Sequence, residues 1–283
     1  MATQALLYKE EGNKRFQARD YKAADGLYTK AIIIDPRNHV LFTNRAFARI
    51  KLQDWDSVIS DCLESIGLQP KNMKAYYYLA QAQMGLHHPS EALSSALTAY
   101  GICLQVGSPS ASSISTLILN AKKEKWEIKE RDRLRRRNNL LNELEERLEQ
   151  ARVDDLEAIA VRHDEGYLNK VEAGEEASLV EETSRHKFDE LRSVFALAHP
   201  HTMQAREVPE YLIDNISFTV MHDPVITKTG QSYERSTILE HLRRSETDPL
   251  TREALRIEDL RPNLALRQAC AEFLEKNGWA VDW

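Results

Sequence analysis

The feature that most constrains this chain is a period. Set against itself with an offset of 34 residues, the first hundred or so residues keep their pattern. Asp20-Tyr21 falls on Asp54-Trp55, Pro36 on Pro70, Asn38 on Asn72 and Phe42 on Tyr76. The small residues Gly12, Ala46 and Ala80 recur in one phase, and Ala24, Val58 and Ala92 in another. A fixed period of this length describes a stack of like units. Each unit buries the apolar face that its neighbour leaves open.

Small residues where helices must cross, with a proline closing each unit, are the signature of tetratricopeptide repeats, which are pairs of helices. Three are counted, roughly 5–38, 39–72 and 73–106. The third carries His88-Pro89 in place of the Asp-aromatic pair, and Pro89 suits the first turn of a helix. A terminal repeat leaves an apolar face open. A capping helix is therefore expected near 112–124, after the Gly107-Ser108-Pro109 break, which makes 1–124 the first domain.

The first helix of each repeat lines a concave groove. Lys9 and Asn13 are four apart and share a face in repeat one. Asn44 lies on the corresponding helix of repeat two, and Lys74 on that of repeat three. Two ammonium groups and two amides in one groove can grip a terminal carboxylate and an acidic side chain. An exposed lysine is ordinarily just solvated, and Asn44 can equally tie one helix to the next. The place of all four on first helices of the repeats favours the groove. This set resembles the carboxylate clamp of chaperone-binding repeat domains. Those domains hold the acidic tails, ending Glu-Glu-Val-Asp, of seventy- and ninety-kilodalton heat-shock chaperones. Their usual clamp has an arginine where this chain has Tyr78. Tyr77 and Tyr78 can instead pack the valine or isoleucine of such a tail.

Residues 125–205 are charged and helix-prone. Leu134, Leu141 and Leu148 fall seven apart, with Leu144 and Ala151 filling a short coiled-coil-like seam. His163-Asp164-Glu165-Gly166 reads as a break, and a second helix is expected over about 175–198. This hairpin either pairs with its copy, giving a homodimer, or serves as a monomeric spacer. The Arg133 to Arg137 cluster reads as a solvated helix face rather than a nuclear-import signal.

From 206 to 283 the motifs change. Val208 to Val225 opens a loop-rich stretch. Gly230-Gln231-Ser232-Tyr233-Glu234-Arg235, a short helix around Ile238 to Leu242, Asp248-Pro249-Leu250-Thr251-Arg252 and Arg261-Pro262-Asn263 follow, before a final helix. This order resembles the U-box of ubiquitin ligases, a RING-like α+β fold without zinc. A zinc RING needs eight Cys/His ligands in paired spacings. Here Cys270 is the one nearby thiol and no C-x-x-C exists, so no metal is expected.

A U-box ligase forms no covalent bond to ubiquitin. It holds a conjugating enzyme that carries ubiquitin as a thioester, so no nucleophilic triad is needed and none is found. The resemblance implies that Ile216, Phe218, Met221 and Pro249 touch the conjugating enzyme. Ile216 and Phe218 alternate along an extended loop and would share a face. The alternative for that pair is a strand packed into the core. Arg252 matches a cation that bridges the enzyme and ubiquitin. His241 matches a position linked to activity, or is a structural helix histidine. Asn263 either makes backbone bonds or supports a dimer contact, while Tyr233 and Trp279 read as core.

The net charge of -6 argues against nucleic-acid binding, and no apolar run is long enough to span a bilayer. Cys62, Cys103 and Cys270 are scattered through apolar helical patterns, as buried free thiols in a reducing compartment are. The cytosol is the expected location, with nuclear access open. The expected fold is mainly α: a three-repeat solenoid, a charged helical hairpin and a small α+β domain. This order resembles the CHIP family of co-chaperone ubiquitin ligases. That resemblance implies a homodimer acting with chaperones, ubiquitin-conjugating enzymes, ubiquitin and misfolded clients, and no cofactor. Two rivals stand beside it: a scaffold whose U-box is inactive, and a ligase whose groove binds something other than chaperones.

Overall fold

The computed structural model describes residues 2–197 and 207–283. It divides into two compact units, one formed by Met1–Glu127 with Val208–Trp283 and the other by Ile128–Glu207. The first unit begins with three helix pairs. They are α1 (Ala2–Gln17) with α2 (Tyr21–Ile34), α3 (His39–Leu52) with α4 (Trp55–Leu68), and α5 (Met73–Gly85) with α6 (Pro89–Gln105). Asn38 and Asn72, 34 apart, start α3 and α5 by accepting from Val40 N and Ala75 N. The helix crossings need small residues. A Cβ at Gly12 would sit 2.7 Å from the Tyr28 ring, and one at Gly85 would sit 2.5 Å from the Trp55 indole. Ala46 and Ala80, in phase with Gly12, are fully buried.

A polar clasp joins the first two repeats. Arg45 of α3 grips Asp61 of α4 at 2.6 Å and donates to Thr29 of α2 at 3.0 Å. Arg49 pairs with the same Asp61 (3.0 Å) and with Asp25 of α2 (2.6 Å). Asp61 is thus buried with two guanidinium partners, the condition under which a buried carboxylate is tolerated.

The capping helix is present, with a larger extent than expected. Helix α7 runs unbroken from Ala111 to Asp164. It contains no glycine or proline, so nothing in its backbone ends it near residue 124. Its first turns place Ile114, Ile118 and Ala121 in the core, where the first two pack with Ala99, Tyr100 and Cys103 of α6.

In the second unit the rest of α7 packs antiparallel to α8 (Lys170–Leu197). The turn between them uses Gly166 at φ 80, and the Asn169 side chain caps α8 at Val171 N and Glu172 N. Ion pairs strap the hairpin: Arg192–Glu145 at 2.7 Å, Arg152–Glu181 at 3.6 Å, and Arg162–Glu176. Leu134, Leu141, Leu144 and Leu148 are half-buried along the seam, whereas Ala151 is exposed. The expected end of the second helix at 198, and the domain boundary at 205, lie outside the described residues.

Residues 207–283 form the small α+β part of the first unit. Strands β1 (Pro224–Ile226), β2 (Ser232–Glu234) and β3 (Arg261–Pro262) make an antiparallel sheet in the order β2-β1-β3. Val225 faces Tyr233 on one side and Pro262 on the other. Helix α9 (Arg235–Leu242) follows β2, and α10 (Leu264–Lys276) follows β3. Asn263 caps α10 at Leu266 N, and its amide donates to Ser232 Oγ. One core gathers Val225, Tyr233, Ile238, Leu242, Leu255 and Leu260. A second gathers Leu212, Val220, Met221, Cys270, Leu274 and Ala280, with Leu119 of α7 against it.

The repeats and this part meet through α6 and the start of α7. Tyr100 donates to Asp223 (3.3 Å), Ser115 to Glu234 (3.4 Å), and Trp126 Nε1 to Lys276 O (3.0 Å). Arg243 reaches back to Gly107 O (3.0 Å), and Lys123 pairs with Asp282.

Candidate functional sites: a cationic groove and a two-loop docking surface

The groove residues lie on the first helix of each pair. Lys9 and Asn13 are on α1, Asn44 on α3, and Lys74, Tyr77 and Tyr78 on α5. The two amides meet. Asn13 Oδ1 accepts from Asn44 Nδ2 (3.4 Å) and from the Tyr28 hydroxyl (2.8 Å). Asn44 therefore does tie α3 to α1, and this leaves the amide hydrogens of Asn13 for a guest. Lys9 is half-buried and Lys74 exposed, and neither has an acidic partner among the described residues.

Aromatic stacking is what sequence reading missed here. Phe16 stacks on Phe47 at 4.7 Å, and Phe47 on Tyr78 at 5.1 Å with the rings 2° from parallel. The three are spaced by 31 residues, not 34. A shift of three is one helical turn, so the ladder climbs a turn at each repeat. Asn13 and Asn44 show the same offset. Lys51 approaches the middle ring, its Nζ 5.4 Å from the Phe47 ring centre. Tyr78 is thus partly committed to Phe47, and burial pushes its hydroxyl pKa up to about 12. Tyr77 leans on the buried cluster around Ala80, Tyr100 and Ile114.

In the α+β part, two buried carboxylates each organise a loop. Asp214 accepts from Ser217 N (2.8 Å), Ser217 Oγ (2.8 Å), Glu234 N (2.9 Å) and the Thr237 hydroxyl (2.9 Å). Asp248 accepts from Leu250 N, Thr251 N, Tyr233 Oη and Thr229 Oγ1. Between them Glu234 accepts from His222 N (2.7 Å) and Asp223 N (2.8 Å). A zinc RING joins its loops through electron pairs given to a metal. Here the loops are joined by hydrogen bonds given to carboxylates, whose lone pairs those donors already occupy.

The first loop turns tightly instead of running extended. Phe218 N donates to Asp214 O (2.8 Å), and Phe218 sits at φ 56. Ile216 and Phe218 consequently do not share a face. Ile216 is half-buried against the core around Val225 and Ile238, while Phe218 stands 72% exposed. Met221, expected at the docking surface, is buried instead. Its backbone N–H bonds Leu212 O just past the Ile213–Val220 bridge, which turns the side chain inward to 1% exposure. On the second loop Pro249 is half-buried and Leu250, which sequence reading passed over, is 60% exposed. Arg252 is exposed at φ 61, and its guanidinium has no partner among the described residues. His241 is half-buried, and its Nε2 bonds Thr247 O at 2.9 Å, so it fixes the second loop to α9. Tyr233 is fully buried, and Asn263 makes the backbone bond to Leu266 N given above, while its own N–H donates to Pro224 O (2.9 Å).

A repeat solenoid with a cationic groove, joined to a RING-like domain built on carboxylates, is the architecture of a U-box ubiquitin-protein ligase. The U-box domain family matches residues 208–279. The chain is 33% identical over 275 residues to the E3 ubiquitin-protein ligase CHIP of Arabidopsis thaliana, covering 96% of this chain and 94% of that protein. Two partial likenesses flank it. Over 93 residues the chain is 32% identical to the Hsp70/Hsp90 co-chaperone CNS1 of Saccharomyces cerevisiae, 31% of this chain and 24% of that one. Over 70 residues it is 41% identical to the ubiquitin conjugation factor E4 of Schizosaccharomyces pombe, 24% of this chain and 7% of that one. The chain belongs to the CHIP family of E3 ubiquitin-protein ligases.

Proposed function

We propose that this ligase grips the acidic C-terminal tails of seventy- and ninety-kilodalton chaperones and directs ubiquitin to the misfolded clients they hold. One compact unit carries both ends of that task. The observation that carries the reading is a pair of unspent cationic sites. Lys9 and Lys74 lack partners beside the linked amides Asn13 and Asn44, and Arg252 lacks one beside the exposed Phe218 and Leu250. The tail's terminal carboxylate lies between the two ammonium groups and the Asn13 amide. An apolar tail residue lies on the Phe16–Phe47–Tyr78 ladder.

At the other end Phe218, Leu250 and Pro249 dock the conjugating enzyme, with Ile216 supporting the first loop from within. The bond that breaks is the thioester on that enzyme, and the attacking nucleophile is a client lysine amine. This chain supplies orientation, and Arg252 steadies the loaded ubiquitin in the reactive pose. Two copies pair through the connector hairpin, and the protein works in the cytosol. The three buried free thiols support that location.

The test combines the protein with a loaded conjugating enzyme and a chaperone. Ubiquitin should appear on the chaperone and its client. A free tail peptide should suppress this by competition, and the same peptide with an amidated C-terminus should not. Equal competition by the two peptides would refute the clamp. Failure to discharge any of a broad panel of conjugating enzymes would contradict the docking surface.

A further inference from the structure

A buried carboxylate holds the middle of the second docking loop, whose start His241 ties to α9. Asp248 is 1% exposed. Its Oδ1 accepts from Leu250 N (2.9 Å), Thr251 N (3.1 Å) and the Tyr233 hydroxyl (2.7 Å), and its Oδ2 from the Thr229 hydroxyl (3.3 Å). Its own backbone closes the loop. Asp248 N donates to Glu253 O (2.8 Å), and Asp248 O accepts from Arg252 N (2.9 Å). Burial raises the carboxyl pKa, but the hydrogen bonds outweigh it and hold the group below the usual carboxylate range. Every one of these donors is neutral. No cation pairs with Asp248 among the described residues, so an anion that is costly to bury sits under a short loop for the sake of its bonds. Pro249, Leu250 and Arg252 all lie on that loop. Arg252 holds φ 61, which a non-glycine residue keeps only where its surroundings enforce it.

We propose that Asp248 is a positioning residue for ubiquitin transfer, fixing the backbone that aims Arg252 at the loaded conjugating enzyme. The inference rests on the docking reading above. Asp248 touches neither ubiquitin nor the enzyme and acts through Arg252. Because the chain contributes orientation, a small displacement of Arg252 has a large effect. A misplacement of about 1 Å can cost roughly a hundredfold in rate.

Asparagine is the discriminating replacement. It keeps an oxygen for the three donors at Oδ1 and turns its amide toward the Thr229 oxygen, which can accept. Alanine instead leaves buried donors without partners. The experiment measures single-turnover discharge of ubiquitin from a preloaded conjugating enzyme to free lysine, with the full chain titrated to saturation. Melting and binding of a chaperone-tail peptide run alongside. Asp248→Ala should lower the saturated rate about ten- to a hundredfold, a loss separate from any rise in the half-saturating concentration that follows from releasing Leu250. Asp248→Asn should restore most of the rate, and Tyr233→Phe should fall between. Adding Asp248→Ala to Arg252→Ala should slow the reaction no further.

A wild-type saturated rate in a folded Asp248→Ala overturns the proposal, as does a loss confined to the half-saturating concentration. So does failure of a folded Asp248→Asn to restore the rate. If Asp248→Ala does not fold, an unchanged saturated rate in Tyr233→Phe overturns it. Wild-type behaviour of Phe218→Ala and Arg252→Ala together would sink the docking reading itself, a separate result.

Discussion

At the scale of single residues, Phe218 and Met221 stand three positions apart and do opposite things. Met221 fills a core, so Met221→Ala should destabilise the α+β part by about 2–5 kcal/mol, read as a lowered melting point. Phe218→Ala removes no core contact. It should leave melting nearly unchanged while abolishing binding of the conjugating enzyme in a direct titration, as loss of an aromatic anchor does. Reversed results for the two would mean that the loop is misassigned. The sequence could not separate them, because alternation sorts faces only in an extended chain. The Asp214 turn breaks that rule at Phe218. At the other end, Lys74→Ala should lose a charge-assisted contact worth roughly 1.5–3 kcal/mol, about ten- to a hundredfold in tail affinity by peptide titration. Lys9, Asn13, Asn44 and Lys74 were assignable to the groove side because the period places all four on the first helix of a repeat. The Phe16–Phe47–Tyr78 ladder was not, because its offset of 31 residues combines the repeat with a helical turn.

At the scale of elements, the repeat period reaches further than residue type. Arg19, Gln53 and His87 lie 34 apart and close α1, α3 and α5 at φ 62, 59 and 59. This is the left-handed position where helices commonly end, usually with glycine. Three unlike residues occupy it, so no composition signal marked it, and only the period does. Glycine is required elsewhere. Gly85→Ala would drive a methyl into the Trp55 indole, where the rigid ring cannot yield cheaply. That change should cost about 1–3 kcal/mol, measured as lower thermal stability of the repeats. Gly26→Ala is the control, because nothing lies within 4 Å of a Cβ there. Its melting point should stay level or rise, since alanine suits a helix better. The connector's two helices and their break were legible from the leucine spacing and from His163 to Gly166. The unbroken passage of α7 through residue 124 was not. A cap for the repeats and a helical arm of the hairpin carry different surface patterns, and a continuous backbone leaves no mark between them.

At the scale of the whole first unit, one stretch of α7 serves two cores. Ile114 and Ile118 close the repeats, while Leu119 packs against the second core of the α+β part. Trp126 lies so close to Gly278 that a Cβ there would sit 2.5 Å away. None of this was readable beforehand, because contacts between parts far apart in sequence leave no periodic trace. The junction also carries a titration. His222 is packed against Tyr100 and accepts from Lys122 Nζ (3.2 Å), with Asp223 and Arg267 near it and Glu234 bonding its backbone. Burial, and then Lys122, push its pKa down to about 3. The unfolded chain takes up that proton near the ordinary histidine value of about 6.5, and the folded chain only near 3. Between those values the unfolded state binds more protons. The contribution of neutral His222 to stability is therefore complete above about pH 6.5 and is lost as pH falls toward 3. Glu234 works the other way, since burial holds its carboxyl above the usual range, so overall stability against pH mixes the two. Replacement isolates the histidine. His222→Asn removes the titrating group, so in denaturant titrations the stability gap between wild type and variant should stay nearly level from pH 7.5 to about pH 6.5 and narrow from there to pH 5. Tail binding at the groove should be equal in both proteins at pH 7.5. A gap that stays constant across that range would mean that His222 is not held neutral, and that Lys122 and His222 do not meet as described.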